Sequence, residues 1–548
     1  MIRADIVKMY KDVHTWVGIV SGLALFIAFY AGAITMFEGP LKLWASPPPA
    51  LAAPVSLSET DALVQKTIAE HPEAGRGYTI HVETSPDRPA RMSWIVWPEG
   101  RSRGAPQETW FSALGEDGTL QVEKDATSPV AQLVDVLHQQ VGLPFDHEIS
   151  MPIMGAICLL YAIALVSGVI VFLPGFAKDI FALRIGKNLK RMWLDVHNVL
   201  GIFSLPFHII MALTAIVFAF HDQFYGLQDK VAYDGQIAAM FEANEPEHHA
   251  HIEEGKPFLP ADQLVARLNE QAPGFRVKDI RYIFAPDGTV ETMVNGEDPR
   301  YGHRGANFGF AAVNAYTGDI MSTEYMPGLQ APLIATVTGF FALHFGNFGG
   351  APVRWGYFAL GLAGAFLFYS GNLLWIESRR KKARKSSPDN TQPLKTKILG
   401  ALTVGVSLGC IAGISLTIAA AKIVPSLGVD ATSFHQWIYY LVFVVAIAWA
   451  FLRGAARGSV ELQWLAALCT LAIPLVSALS VVVSGFGWNH GGSTWLVDIV
   501  SVAGSVLLFY TAHRTRQRIV RAPMDSIWHV GAGGSATVLA DEGVTTGA

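Results

Sequence analysis

Apolar runs near 14–37, 150–173, 194–220, 352–375, 398–421, 433–452, 460–485 and 495–513 constrain this chain before anything else does. Each is long enough to cross a hydrocarbon core about 30 Å thick as a helix. Backbone inside lipid must satisfy its own hydrogen bonds, which leaves the helix as the solution for runs of this length. The expected fold is a polytopic α-helical membrane protein with about eight transmembrane helices. Charged residues make up 16% of the 548, well under the roughly 25% of soluble domains. The net charge of −5 gives no reason to expect a nucleic-acid partner. Cys158, Cys410 and Cys469 all lie in apolar runs and form no CxxC, so disulfides, zinc and thiolate-bound clusters are not expected.

Lys and Arg placement sets the orientation. Arg3, Lys8 and Lys11 precede the first run, and Lys178, Arg184, Lys187, Lys190 and Arg191 separate the second and third. Arg379 to Lys385 follow the fourth, Arg453 and Arg457 divide the sixth from the seventh, and Arg514 to Arg521 follow the last. All fall on one side if both termini are cytoplasmic. The first run, Trp16 to Phe37, is longer than the roughly 7–15 residues of a signal peptide's apolar core, so it is expected to stay as an anchor.

Two long loops then face outward, each with a helix followed by strands. In the first, Leu57–Glu70 reads as a helix, and Tyr78–Val82, Arg91–Trp97 and Thr109–Ala113 read as strands between Pro, Gly and Asp turns. In the second, Ala261–Asn269 reads as a helix, and Arg276–Phe284, Val290–Val294 and Phe308–Val313 read as strands. Ala315 to Asp319 makes a hairpin turn into one more short strand. The expected partition is 1–37 as transmembrane helix 1, 38–149 as a first periplasmic α+β domain, and 150–220 as helices 2 and 3. Then come 221–351 as a second such domain, 352–380 as helix 4, 381–397 as a cytoplasmic linker, 398–513 as a C-terminal four-helix module and 514–548 as a cytoplasmic tail.

A repeat runs through the first part of this layout. Asp12-Val13-His14-Thr15-Trp16-Val17-Gly18-Ile19-Val20-Ser21 returns as Asp195-Val196-His197-Asn198-Val199-Leu200-Gly201-Ile202-Phe203-Ser204, each copy opening an apolar run. Each outer loop also ends in a histidine before the next run, at Leu137-His138 and at Leu343-His344. The repeat is expected to bring His14 beside His197 at the inner face and His138 beside His344 at the outer face. An ionisable side chain at a membrane span is a functional candidate. Two imidazoles from different helices suit the two axial positions of a b-type haem. The absence of CxxCH argues against covalent attachment. His208, eleven residues after His197, lies about 16 Å further along a continuous helix and on the same face. It is therefore an alternative outer ligand. The competing reading is that each histidine is a hydrogen-bonded or lipid-facing residue without a cofactor. Asp12 and Asp195, two residues before each inner histidine, are expected to be N-terminal caps.

Other features carry less. Gly346, Gly349 and Gly350 beside His344 suit close approach of a planar ring or, equally, a turn between helices. Glu247-His248-His249-Ala250-His251 could hold a metal or form a surface loop. Gly531-Ala532-Gly533-Gly534 follows no strand, so it is no nucleotide fingerprint. His435, His490 and His513 have no repeat partner.

Four stretches resemble the PepSY-associated transmembrane family, also called iron-regulated membrane proteins. They are His14-x-x-x-Gly18, the run from Trp193 through Asp195 and His197 to Gly201, Ser204-Leu205-Pro206-Phe207-His208, and Leu343-His344-Phe345-Gly346-Asn347-Phe348-Gly349-Gly350. The resemblance covers about residues 1–380 and implies that the outer domains are PepSY-like. It also implies kinship with siderophore reductases of the bacterial inner membrane, which carry haem in a four-helix core and release iron by reducing it in the periplasm. The C-terminal four helices lie outside that pattern. The resulting expectation is a ferric-siderophore reductase with two haem b groups, ligated by His14, His197, His138 and His344 with His208 as the alternative. Its partners would be a ferric siderophore or other ferric chelate, and either a cytoplasmic electron donor or a quinol, since no flavin or nicotinamide fingerprint is present. Outer-domain aromatics Trp94, Trp97, Trp110 and Tyr301 are candidate chelate contacts. The rival expectations are a non-enzymatic PepSY envelope protein that regulates peptidases and a transporter for haem or a ferric chelate.

Overall fold

The computed structural model describes residues 3–86, 88–96, 108–184, 188–232, 234–236, 249–253, 255–302, 308–386, 392–427, 430–483 and 487–530. Two compact units emerge. The first comprises Met1–Ser46, Ser128–Phe220 and Gly356–Ala548, and the second Pro47–Thr127 and His221–Trp355.

Helices dominate the first unit. Ala4–Thr35 (α1) leads into the short Glu38–Ala45 (α2). In the second unit Thr60–Glu70 (α3) follows, and the chain returns to the first unit at Val130–Gln139 (α4) and His147–Phe172 (α5). Next are Leu189–Phe203 (α6) and Leu205–Ala232 (α7). Ala261–Gln271 (α8) and Pro332–Phe345 (α9) belong to the second unit. Gly350–Ser386 (α10), Leu394–Ala420 (α11), Ala431–Val482 (α12) and Trp495–Arg521 (α13) complete the order. Among the described residues seven helices are long and apolar enough to cross a membrane.

The expected runs 433–452 and 460–485 both fall within α12, whose 52 residues include a non-helical residue at Gly454. That helix is not straight. Gly454 has φ 74° and ψ 160°, a region open essentially to glycine alone. Trp449 Nε1 donates to Glu461 Oε2 at 2.7 Å, across a separation that would be about 18 Å in a continuous helix. The chain therefore doubles back at Gly454.

The first unit is held by small residues as well as large ones. Gly405, Gly409 and Gly413 lie four apart on α11. A Cβ on Gly405 would come within 2.7 Å of Ile447 Cα, and one on Gly409 within 3.2 Å of the Phe443 carbonyl oxygen. Backbones approach this closely in lipid only where side chains are absent. Amphipathic α4 buries Val130, Leu133, Val134 and Leu137 in one core with Phe26 and Ile27 of α1, Trp44 of α2, Cys410 and Ile414 of α11 and Tyr439 of α12. The C-terminal helices are thus packed onto the N-terminal ones. Residues after α13 fold back too: Arg380 Nη1 donates to Asp525 Oδ1 at 2.8 Å, and Ile527 packs at Gly400.

The second unit is a sheet with two helices on it. Its strands are Gly77–His81 (β1), Met92–Val96 (β2), Glu108–Leu114 (β3), Leu120–Lys124 (β4), His249–His251 (β5), Arg276–Phe284 (β6), Thr289–Glu297 (β7), Phe308–Val313 (β8) and Ile320–Tyr325 (β9). The order is β4-β3-β2-β1-β6-β7-β8-β9, with β5 added on β7. The two expected α+β domains are therefore joined in one nine-stranded sheet. Their first strands pair antiparallel at its centre, Tyr78 opposite Tyr282 and Ile80 opposite Ile280. Leu63 of α3 and Leu264 and Leu268 of α8 share a single core with Ile80, Trp94, Ile280 and Val294. From Val290 to Glu297 β7 alternates buried and half-buried side chains, as a strand with one covered face must. β4 and β5 were not foreseen from the sequence, β5 because three residues carry no periodicity.

Candidate functional site

Four of the five expected histidines lie in the first unit, each at the start or end of an apolar helix or on a helix packed against one. His14 comes from α1 and His197 from α6, and their ring centroids are 6.1 Å apart with planes at 68°. The expected inner pair is thus brought together. Each ring is fixed by the helix that returns from its own half of the repeat. His14 Nδ1 donates to the Ala164 carbonyl of α5 at 2.9 Å, and His197 Nδ1 to the Leu367 carbonyl of α10 at 3.2 Å. A carbonyl only accepts, so Nδ1 carries the proton and the neutral ring keeps its lone pair on Nε2.

Around both rings the same small motif recurs. Ser167-Gly168 stands on α5 and Ser370-Gly371 on α10. Ser167 Oγ lies 3.5 Å from His14 Nδ1, and Ser370 Oγ lies 3.3 Å from His197 Nδ1. Each hydroxyl also donates to the carbonyl that its histidine uses, at 3.1 Å for Ala164 and 2.8 Å for Leu367. The glycine makes room. A Cβ on Gly168 would stand 3.0 Å from His14 Cε1, and one on Gly371 3.4 Å from His197 Cε1. In each copy the carbonyl lies four residues before the glycine. Sequence reasoning found the histidines and missed this clamp, although its Ser-Gly signal is printed twice in the return helices.

His138 of α4 uses the same device on α1. Its Nδ1 donates to the Ala28 carbonyl at 2.8 Å, and a Cβ on Gly32, again four residues on, would fall 2.6 Å from that nitrogen. One turn earlier on α4, burial holds the Asp135 carboxyl above its ordinary value, opposed by His138 and by a hydrogen bond from Gln139. His208 is fully buried and ringed by Phe29, Tyr161, Phe207 and Phe368. Its Nδ1 pairs with the Tyr161 hydroxyl, and its Nε2 has no hydrogen-bond partner among the described residues. Gly364 supplies the bare helix surface here, with a Cβ placed 3.1 Å from His208 Cε1. His138 and His208 therefore meet consecutive residues of α1, Ala28 and Phe29.

Other expectations are redirected. The helix carrying His197 stops at Phe203, with Ser204 at φ −95° and ψ 5°, before the helix carrying His208 begins. The two histidines therefore lie on separate helices, and both rings meet α10, His197 at Leu367 and Ser370 and His208 at Gly364 and Phe368. His344 sits on α9 in the second unit, its ring against Phe345. Gly346 closes that helix in the left-handed conformation at φ 62°, which fits the turn reading of the glycine run. Neither Asp12 nor Asp195 is a cap. Asp12 is exposed within α1, and α6 is capped by Asn188. Asp195 is buried inside α6 and held by Arg184 at 2.8 Å and Arg191 at 3.1 Å.

In the second unit Trp94 is part of the core, stacked with Trp110 at 6.5 Å, so it is not a surface for a ligand. Trp97, Glu247, His248 and 531–548 lie outside the described residues. His249 and His251 are strand residues of β5, and no group of three or more His, Cys, Asp or Glu is arranged for a metal ion among the described residues.

The residues fit haem on three counts: paired rings from two helices, Nδ1 fixed by a carbonyl as metal-bound histidines usually are, and bare glycine surface beside each ring. Fold and site together define a multi-pass membrane protein whose spans carry repeated histidine clamps. The family described as PepSY-associated TM region matches residues 12–378, and the chain belongs to it. The match covers the four clamped histidines and His344 and stops short of α11 to α13. The chain is also similar to an uncharacterized protein, PA4219, of Pseudomonas aeruginosa, 25% identical over 315 residues, which cover 54% of this chain and 74% of that protein.

Proposed function

We propose that this protein is a di-haem b-type reductase of the bacterial inner membrane, with both termini cytoplasmic. It passes electrons across the bilayer to reduce a ferric siderophore or other ferric chelate in the periplasm, releasing Fe(II). The observation that carries the reading is the His14–His197 pair. Two imidazoles on one iron need their bonding nitrogens about 4 Å apart, twice a metal–nitrogen bond of about 2 Å. Ring centroids 6.1 Å apart suit that spacing.

Haem, when bound, supplies one-electron exchange between its ferric and ferrous states. The chain's residues orient and insulate. Ala164, Ser167, Leu367 and Ser370 hold the inner rings through Nδ1. His138 and His208, gathered on Ala28 and Phe29, are the residues of the first unit that would serve the outer site. His344 is the remaining ligand candidate. Apolar surroundings keep water from the rings and leave the redox change to the cofactor. One electron loosens the chelate, because ferrous iron binds hard oxygen donors less tightly than ferric iron does.

The test is optical. The purified chain should show Soret absorbance and a reduced-minus-oxidised difference spectrum that ferric siderophore reverses. His14→Ala or His197→Ala should remove the inner contribution and leave the outer one. A folded protein without Soret absorbance overturns the reading. Net flux of ferric chelate in vesicles without reductant would favour a transporter instead.

A further inference from the structure

Apart from the histidine clamps, the ends of the C-terminal helices and Trp44 frame a second polar site. A cavity of about 310 Å³ is lined by Lys422, Ser477, Val481, Trp495, Asp498 and Ile499 among others. It lies at the ends of α11, α12 and α13 remote from the arginines of 514–521. Lys422 is only 3% exposed. Its ammonium donates to Ser477 Oγ at 3.2 Å and to the Trp488 carbonyl at 3.4 Å, and lies 4.2 Å from the centre of the Trp44 ring. Trp44 Nε1 in turn donates to Ser477 Oγ and to Asp498 Oδ1, each at 3.0 Å. A cation and a carboxylate thus face one cavity, braced by the same indole.

The mouth of the cavity is of the opposite character. Val481, Trp495 and Ile499 are 66%, 62% and 63% exposed. On helices of this hydropathy, exposed apolar side chains face lipid. An occupant has to match a donor and an acceptor inside and an apolar chain outside. A phospholipid phosphate would meet the Asp498 carboxylate as a like charge. A neutral ring with a carbonyl or hydroxyl oxygen at each end does not meet that objection, and a cavity of this volume accepts a small ring.

The geometry points to a binding site for the head group of a membrane quinone or quinol, with Lys422 donating to one ring oxygen and Asp498 accepting from the other when it is a hydroxyl. As a binding site it does not depend on the function proposed above. Trp44, Ser477 and Trp488 are positioning residues, since they hold Lys422 and Asp498 in place.

Photolabelling tests this. An azido-substituted benzoquinone with a short alkyl tail is photolysed with the full chain in phosphatidylcholine nanodiscs, and adducts are mapped by mass spectrometry. Saturable labelling within 474–499, competed by an unlabelled decyl benzoquinone, is expected. Lys422→Gln and Asp498→Asn should each weaken competition by about tenfold, as for a lost hydrogen bond to a charged group. Ile499→Trp, which fills the mouth from the lipid side without touching the polar set, should block labelling even if the other variants fold poorly. His14→Ala should leave labelling unchanged, so a failed haem reading and a failed quinone site give different results. Unsaturable labelling, equal labelling of Ile499→Trp, or displacement by phosphatidylglycerol overturns the proposal.

Discussion

At the scale of single residues, the clamp makes a sharp distinction between two glycines. On Gly32 an added Cβ would fall 2.6 Å from His138 Nδ1, while on Gly371 it would fall 3.4 Å from His197 Cε1, an ordinary contact. Gly32→Ala should therefore push the His138 ring off the Ala28 carbonyl, costing about 1–3 kcal/mol of stability, and Gly371→Ala should be tolerated. Melting temperature and haem spectra of the two variants check this. The histidines were legible because a titratable residue at a membrane span stands out and recurs. Ser167-Gly168 and Ser370-Gly371 recur as well, but small residues are common in apolar helices, so nothing marked them as partners. A second residue-scale expectation concerns Asp298 in the outer unit. It is buried and accepts from Arg300 Nε at 2.9 Å, and Arg300 holds its carboxyl below the ordinary range. A depressed carboxylate stabilises the fold above its unfolded value of about 3.9 and loses that contribution as pH falls through the folded value. Asp298→Asn should thus be less stable by about 1 kcal/mol at pH 7, with the difference closing below about pH 4. Hydrogen exchange of β6 and β7 in the full chain reads it.

Elements show where local reading works and where it stops. Runs of 18 or more apolar residues marked the spanning helices, and alternation marked most strands, with Arg276–Phe284 and Phe308–Val313 found where they were expected. The turn at Gly454 falls between the expected runs 433–452 and 460–485, but its conformation was not legible, because glycine in an arginine-flanked loop is unremarkable in sequence. Its conformation is decisive in structure: φ 74° and ψ 160° exclude a Cβ at low cost. Gly454→Ala should destabilise the C-terminal helices by about 1–3 kcal/mol, seen as a lower unfolding midpoint in detergent while the His14–His197 haem signal stays. A variant as stable as the parent would mean the turn has another way to form.

On the scale of the whole molecule, the duplication does more than repeat. It assembles single structures from two halves. The outer loops read in sequence as separate small domains because strand pairing between residues about 200 apart leaves no local signature. In the structure Ile80 and Ile280 are opposite one another and both buried in one core. Ile280→Ala should cost about 2–5 kcal/mol, and hydrogen exchange should rise in β1 and β2 as well as in β6 and β7. Faster exchange confined to the second loop would show that the halves stand apart. The seam also has a consequence for synthesis. β1 emerges about 200 residues before the strand that covers it, so at about 5–20 residues per second it waits roughly 10–40 s as an open sheet edge. Such an edge invites pairing with the wrong chain, and the interval before β6 arrives is the stage at which a newly made copy is most exposed to aggregation.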